Sequence, residues 1–153
     1  MRKKERERDA AFALEVLRDC EYATLATTNP DGTPYCVPIS QAVLEGAIYF
    51  HCATAGHKLD NIAHQATVCI SGVRHTRLLP EDYTTEYESA VATGRCEIVT
   101  DEDEKIAALR AISEKYAQSH IGDFEARLAK WLHVTVVCKI NVERITGKAN
   151  MPS

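Results

Sequence analysis

Two tight turns early in the chain constrain the fold more than any other feature of the sequence. Residues 22–28, 34–44 and 47–53 are rich in β-branched and aromatic side chains. An Asn-Pro-Asp-Gly sequence at 29–32 separates the first two segments, and a Glu-Gly pair at 45–46 separates the last two. Glycine supplies the positive φ that such turns require. Strands joined by turns this short pair antiparallel, so the sequence predicts three consecutive antiparallel strands.

The rest of the chain predicts three more strands and four helices. The strands are predicted at residues 67–73, 89–99 and 134–143, and the helices at 5–19, 56–65, 100–118 and 123–132. Residues 75–88 show neither period and are predicted to be irregular. Six strands joined mostly by hairpins close most readily as a barrel. We therefore predict an α+β, mainly β fold in a single domain over residues 1–153, with a helix at 1–19 and a helical insertion at 100–132 before the last strand.

Three local patterns refine this prediction. Pro38 cannot donate a ladder hydrogen bond, so its strand is expected at an edge, a bulge or a strand start. Asp101 and Glu104 have the spacing of a capping box at the start of the third helix. In residues 134–143 apolar and polar side chains alternate, which is typical of a half-buried strand.

Charge and cysteine usage narrow the range of partners. The net charge is −4, and residues 1–9 carry five basic and three acidic side chains, so the remainder holds about −6. Such a body would repel a phosphate backbone, and no apolar run approaches the ~20 residues of a membrane span. The six cysteines include no C-x-x-C pair. The sequence also shows no evident secretion signal. We expect a cytoplasmic protein with reduced cysteines, no nucleic-acid partner and no membrane partner.

The segment from His51 to Asn61 holds the most chemistry. A strand ends at His51 and Cys52, a short loop follows, and a helix opens with His57 and Lys58. Free backbone N–H groups at a helix N-terminus, beside a lysine, suit an anion such as phosphate. A capped surface helix with a solvated lysine is the alternative. No metal site is predicted, because His57 and His64 would lie about 10 Å apart along the helix.

No nucleophile-base pair or dinucleotide-binding glycine motif is present, so the reactivity is expected to come from a cofactor. Several segments together resemble the pyridoxamine 5′-phosphate oxidase-like FMN-binding split barrels, and most closely their nitroimidazole-resistance branch. The most specific are Ile48-Tyr49-Phe50-His51-Cys52-Ala53, Gly56-His57-Lys58-Leu59-Asp60-Asn61-Ile62 and Ile145-Thr146-Gly147-Lys148-Ala149. The resemblance implies a six-stranded Greek-key split barrel. It also implies a homodimer with one FMN in each of two clefts between the subunits.

The resemblance also implies the site residues. The backbone of Val37, Pro38, Ile39 and Ser40 would follow the edge of the isoalloxazine ring, His51 and Cys52 would flank the ring or ribityl chain, and His57 and Lys58 would hold the phosphate. Ala53 and Asn61 belong to the same two segments and would also contact the cofactor. Ser89 falls where relatives place a polar contact to the flavin. His51 would be the catalytic residue, the one that contacts substrate.

By this resemblance the protein is an FMN-dependent oxidoreductase acting on a small acceptor, for example a nitroaromatic such as 5-nitroimidazole. FAD would fit in place of FMN if the cleft is open beyond the phosphate. Two alternatives remain: a haem-binding split barrel with His51 or His57 as axial ligand, and a flavin-binding module without turnover. The oxidases that act on pyridoxamine phosphate carry Arg-Lys where this chain has His57 and Lys58. Their C-terminal arginine segment also has no counterpart here, so we do not expect that activity.

Overall fold

A computed structural model describes residues 3–151 as one antiparallel sheet wrapped by four α-helices. The strands are β1 (Glu7–Arg8), β2 (Ala23–Thr28), β3 (Pro34–Ile39), β4 (Gln41–Leu44), β5 (Ala47–Ala53), β6 (Thr67–Leu79), β7 (Thr84–Ile98) and β8 (Thr135–Asn150). The helices are α1 (Ala10–Asp19), α2 (His57–His64), α3 (Glu102–Tyr116) and α4 (Phe124–Trp131). Within the described range, no helix has the length and apolar character needed to cross a membrane.

The sheet closes on itself through one bent strand. The strand order is β3-β2-β6-β7-β8-β5-β4, and every pairing is antiparallel. The two end strands of this path, β3 and β4, are consecutive in the chain and meet at Ser40. The stretch predicted as one strand therefore pairs with β2 before the bend and with β5 after it. This arrangement confirms the predicted α+β antiparallel barrel, and Pro38 lies on its edge strand as expected.

Gln41 follows the bend and anchors it. Its side chain is fully buried, and its Nε2 donates a hydrogen bond to the Leu17 carbonyl at 2.7 Å. Tyr116 Oη accepts from the Gln41 backbone N–H at 3.1 Å, and Lys115 Nζ donates to the Gln41 carbonyl at 3.0 Å. These contacts join the C-terminal turn of α1, the start of β4 and the end of α3.

The strand count is eight rather than the predicted six. The prediction of an irregular stretch at 75–88 was wrong, because β6 and β7 continue through it as a long hairpin that turns at 80–83. Charge pairs stabilise this hairpin where apolar alternation is absent. Arg77 Nε contacts Glu86 at 2.6 Å across the strands, and Arg74 pairs with Glu88.

The start of the first helix and the capping of the third differ from the prediction. The first helix begins at Ala10 rather than residue 5, because Glu7 and Arg8 pair with β8 and the Asp9 side chain then caps the helix. Asp101 caps α3 by accepting from the Glu104 N–H at 2.8 Å. The other half of the capping box is absent, because the Glu104 carboxylate accepts from Tyr49 Oη and Lys139 Nζ instead.

The last strand is half-buried, as predicted, except that Val137 on its outer face is also fully buried. Cys138 and Ile140 point into the main core inside the barrel and are fully buried. Val137 points to the opposite face, where it packs with Ala108 and Tyr49 in a second core under α3. The alternation of apolar and polar residues predicted the burial of the inner face. It could not predict the burial of Val137, because α3, which covers it, comes from a separate part of the chain.

Gly94 lies where β7 and β8 approach closely, next to a bulge, so a larger residue there should destabilise the fold. A Cβ at this position would lie 2.0 Å from the backbone oxygen of Asn141. Gly94→Ala should therefore destabilise the protein by about 3 kcal/mol or more, since backbone atoms of two strands must separate. Chemical denaturation measures the change. Gly122→Ala is the matched control, because nothing lies within 4 Å of its added Cβ, and equal stability of the two variants would contradict the close approach.

Candidate functional site

The N-terminus of α2 offers two free backbone donors. Gly56 precedes the helix at φ 151°, a conformation that favours glycine, and its carbonyl accepts from the N–H groups of Leu59 and Asp60. The N–H groups of His57 and Lys58 have no acceptor within residues 3–151. Nothing lies within 4 Å of a Cβ placed on Gly56, so the surface beside the start of the helix is open at that residue. Free donors at the positive end of a helix suit an anion.

Lys58 adds an unpaired positive charge to this corner. The residue is half-buried, and its ammonium forms no ion pair with any carboxylate of the described chain. Its charge also acts on the neighbouring Cys52. A hydrogen bond with Cys138 and burial raise the pKa of the Cys52 thiol, and Lys58 offsets only part of that increase. Cys52 is therefore a protonated thiol packed on the main core, which argues against a thiolate nucleophile there.

His57 is turned away from Lys58, toward the hairpin between β2 and β3. Its Nε2 lies 2.7 Å from Asn29 Oδ1, and its ring stacks on Tyr35 with a centroid distance of 4.1 Å. Asn61, one helical turn further along α2, donates to the same Asn29 oxygen at 2.8 Å. These contacts fix α2 to the hairpin. Of the two residues predicted to hold phosphate, the structure leaves Lys58 free and uses His57 to position the helix.

Asn61 lies beneath this contact and is almost fully buried. Its Nδ2 also donates to Thr27 Oγ1 at 3.0 Å, whereas its Oδ1 has no hydrogen-bond partner among the residues described. A buried acceptor without a donor costs about 1–3 kcal/mol. Asn61 therefore supports the corner from below rather than lining its surface.

The edge strand β3 presents backbone groups near this corner. Among the described strands, β3 pairs only with β2, so its second edge is unpaired. Val37 and Ile39 pack toward the main core, and Pro38 and Ser40 are exposed. The unpaired backbone N–H and C=O groups of this edge can hydrogen-bond a flat polar ligand edge.

Ser89 is not brought together with the other predicted residues. It lies in β7, and β2 and β6 separate that strand from β3. Its Oγ is 3.5 Å from the Lys148 carbonyl on the neighbouring strand β8. Within one chain Ser89 therefore does not contribute to the corner formed by α2 and β3.

A second concave region lies between the end of β5 and the helical insertion; we call it the helical cleft. Its volume is about 580 Å³. It is lined by His51, Leu109, Ile112, Ser113, Ala117, His120, Ile121, Phe124, Arg127, Leu128, Trp131, Leu132 and Thr135. His51 enters this cleft, whereas its neighbour Cys52 packs on the opposite side of β5, as the alternation of a strand requires. Ala53 ends β5 and is exposed beside Thr135.

The cleft disfavours the charged form of the His51 imidazole. The side chain is exposed, and its partial desolvation by the cleft walls lowers its pKa below the usual histidine value. No other described residue hydrogen-bonds to the ring. Both ring nitrogens are therefore available to a bound molecule.

One protein family matches nearly all of the described chain. Residues 9–149 match the pyridoxamine 5′-phosphate oxidase family. The chain belongs to that family. None of the curated proteins matches the sequence closely enough to transfer a function.

Solved structures share the fold of this family member. A conserved hypothetical protein from Mycobacterium tuberculosis is similar with a TM-score of 0.82 and 16% identity, covering 99% of this chain and 95% of the other. A candidate 5-nitroimidazole antibiotic resistance protein from Bacteroides thetaiotaomicron is similar with a TM-score of 0.75 and 22% identity, covering 93% and 84%. An FAD and heme binding protein from Mycobacterium smegmatis is similar with a TM-score of 0.79 and 19% identity, covering 96% and 74%.

Sequence reasoning on this family member missed both partners of His57 and most of the helical cleft. Asn29 was interpreted only as a turn residue, and Tyr35 only as part of a strand. Each is separated from His57 by more than twenty residues, so no local pattern reveals the contact. The described residues contain no cluster of three or more His, Cys, Asp or Glu side chains arranged for a metal ion.

The environment of His51 predicts a lowered pKa for its imidazole. Its imidazole should titrate below the ordinary value of about 6.5, because the cleft walls disfavour the charged form. A histidine whose pKa is lowered by folding contributes stability above pH 6.5, and that contribution is lost as the pH falls through the folded-state pKa. Proton NMR titration measures the value, with His51→Gln used to assign the resonance. A pKa at or above 6.5 would contradict the desolvated position.

Proposed function

We propose that the protein is a flavoprotein that binds FMN as a homodimer and acts as an oxidoreductase on a small acceptor. The observation that carries the proposal is the corner at α2. The N–H groups of His57 and Lys58 are free there, and the Lys58 ammonium has no carboxylate partner among residues 3–151. This donor set matches the terminal phosphate of a flavin mononucleotide.

Each part of the corner has a distinct role in this proposal. Lys58 and the helix N-terminus bind the phosphate, and the unpaired edge of β3 orients the ring by hydrogen bonds from residues 37–40. When bound, the flavin supplies hydride or electron transfer. The neutral His51 imidazole can accept or hold a proton at a ring nitrogen facing the acceptor. His57, Asn29 and Asn61 keep the helix against the hairpin.

The outer face of the sheet supports the proposed dimer. One row across neighbouring strands consists of Thr24, Ser71, Val91 and Thr146, which are small and uncharged. The row itself is uncharged, so its contact with a second copy desolvates no charge, and Arg144 and Lys148 border it on β8. A dimer of this kind would bring Ser89 of one subunit to the flavin of the other, which explains its separation within one chain.

The class of acceptor and the cellular compartment are proposed from less specific observations than the cofactor. The similarity to the Bacteroides protein supports a nitroaromatic acceptor such as a 5-nitroimidazole. Six free cysteines, of which Cys36 is exposed, suit the reducing conditions of the cytoplasm. FAD would occupy the same corner through its inner phosphate.

Haem binding is the second candidate function. The similar Mycobacterium smegmatis structure is of a protein named for both FAD and heme. In this chain, an imidazole without a protein partner faces an apolar cleft at His51, as an axial ligand would. In this alternative the absorbance spectrum would show a Soret band that disappears in His51→Ala.

The phosphate assignment predicts the effect of removing the Lys58 charge. Lys58→Ala should weaken FMN binding by about 10- to 150-fold, which corresponds to the loss of a charged hydrogen bond of about 1.5–3 kcal/mol. Fluorescence titration of flavin-free protein with FMN gives the dissociation constant. Lys58→Arg should recover most of the affinity, and Lys130→Ala on the exposed side of α4 should leave it unchanged. Equal FMN affinity for Lys58→Ala and Lys130→Ala would contradict the proposal.

A further inference from the structure

The helical cleft is a preformed concavity rather than a gap between loosely attached helices. Lys105 Nζ donates to the Leu132 carbonyl at 2.6 Å, which joins the start of α3 to the segment after α4. Arg110 pairs with Glu125 and lies over the Phe124 ring at 4.4 Å. The two helices are thus held against each other and against the barrel, so a ligand would not have to order them.

The walls of the cleft suit a flat apolar molecule. Phe124, Leu128 and Trp131 lie on one side of α4 and face α3 and β5. Trp131 remains 59% exposed, although it is one of the largest apolar side chains in the protein. Apolar and aromatic surface left uncovered in a concave site is typical of a ligand pocket, and 580 Å³ falls within the usual size range.

The titratable side chains that line the cleft are all basic. Its titratable side chains are His51, His120 and Arg127, and none of the lining residues is acidic. Arg110, on the neighbouring helix, already has a carboxylate partner in Glu125, whereas Arg127 forms no ion pair with any residue between 3 and 151. A guanidinium next to apolar walls favours a ligand carboxylate, which it can bind through two parallel hydrogen bonds.

We infer that the helical cleft binds a planar aromatic carboxylate, with its rings against the wall formed by Phe124, Leu128 and Trp131 and its anionic group on Arg127. The site would hold an acceptor whose ring system carries such a carboxylate, on the face of β5 that His51 occupies. The role as an acceptor site rests on the proposed flavin function. Binding of the carboxylate itself rests only on the geometry of the cleft.

Two matched probes test the charge requirement. Calorimetric titration with 2-naphthoate and with 2-naphthamide compares the same ring system with and without the anion. We expect 2-naphthoate to bind at least about tenfold more tightly. Arg127→Gln should reduce the affinity for 2-naphthoate to that of the amide, whereas Lys130→Gln, a neighbouring cation on α4 that does not line the cleft, should change little. Equal affinity of the two probes for the native protein, or unchanged naphthoate affinity in Arg127→Gln, would overturn the inference.

The position of the ligand can be read from a single signal. Trp131 is the only tryptophan, so its indole N–H gives one cross-peak in a proton–nitrogen correlation spectrum. That peak should shift during the naphthoate titration, and naphthoate binding without a shift would overturn the location. FMN retention is measured on the same samples. Loss of naphthoate binding with FMN retained contradicts this inference alone, and naphthoate binding without any FMN affinity contradicts the flavin function alone.

Discussion

The structure depends on one strand that changes partners at Ser40. Before this residue the strand pairs with β2, and after it the strand pairs with β5, so a single bend closes the sheet. The next residue, Gln41, makes the bend stable because its buried amide and backbone groups bond to Leu17, Lys115 and Tyr116. A buried polar group that is satisfied in this way specifies one arrangement of the helices around the barrel. The position of β5 follows from that arrangement.

β5 in turn separates two environments. His51 faces the helical cleft, and Cys52 faces the core on the other side of the same strand. The chain then leaves the sheet and starts α2, where His57 binds the hairpin and Lys58 keeps its charge free. Of these two neighbouring residues, His57 has a structural role, whereas Lys58 remains available to a ligand. Both the proposed cofactor corner and the helical cleft therefore adjoin β5, which pairs with β4 and β8.

Sequence patterns predicted the antiparallel strands and α2 because turn residues and apolar periodicity are local signals. They missed the hairpin at 75–88, since Arg77 and Glu86 stabilise it as a cross-strand pair without any apolar alternation. They also missed the contact between His57 and Asn29 and the burial of Val137, which depend on elements distant in the chain. The anion-binding role of the α2 N-terminus and Lys58 followed from local signals, whereas the roles of the other site residues came from the family resemblance. Whether Ser89 joins a site depends on a second subunit that no single sequence can position.

Native mass spectrometry of the purified protein, incubated with FMN, tests whether two chains share the flavin sites. It reports the number of chains and the mass of any bound cofactor in one spectrum. We expect a complex of two 17.0 kDa chains that carries two FMN molecules. A single chain that holds FMN at full occupancy would contradict the shared cleft. A complex that takes up no flavin at all would contradict the assignment of the α2 corner as a flavin phosphate site.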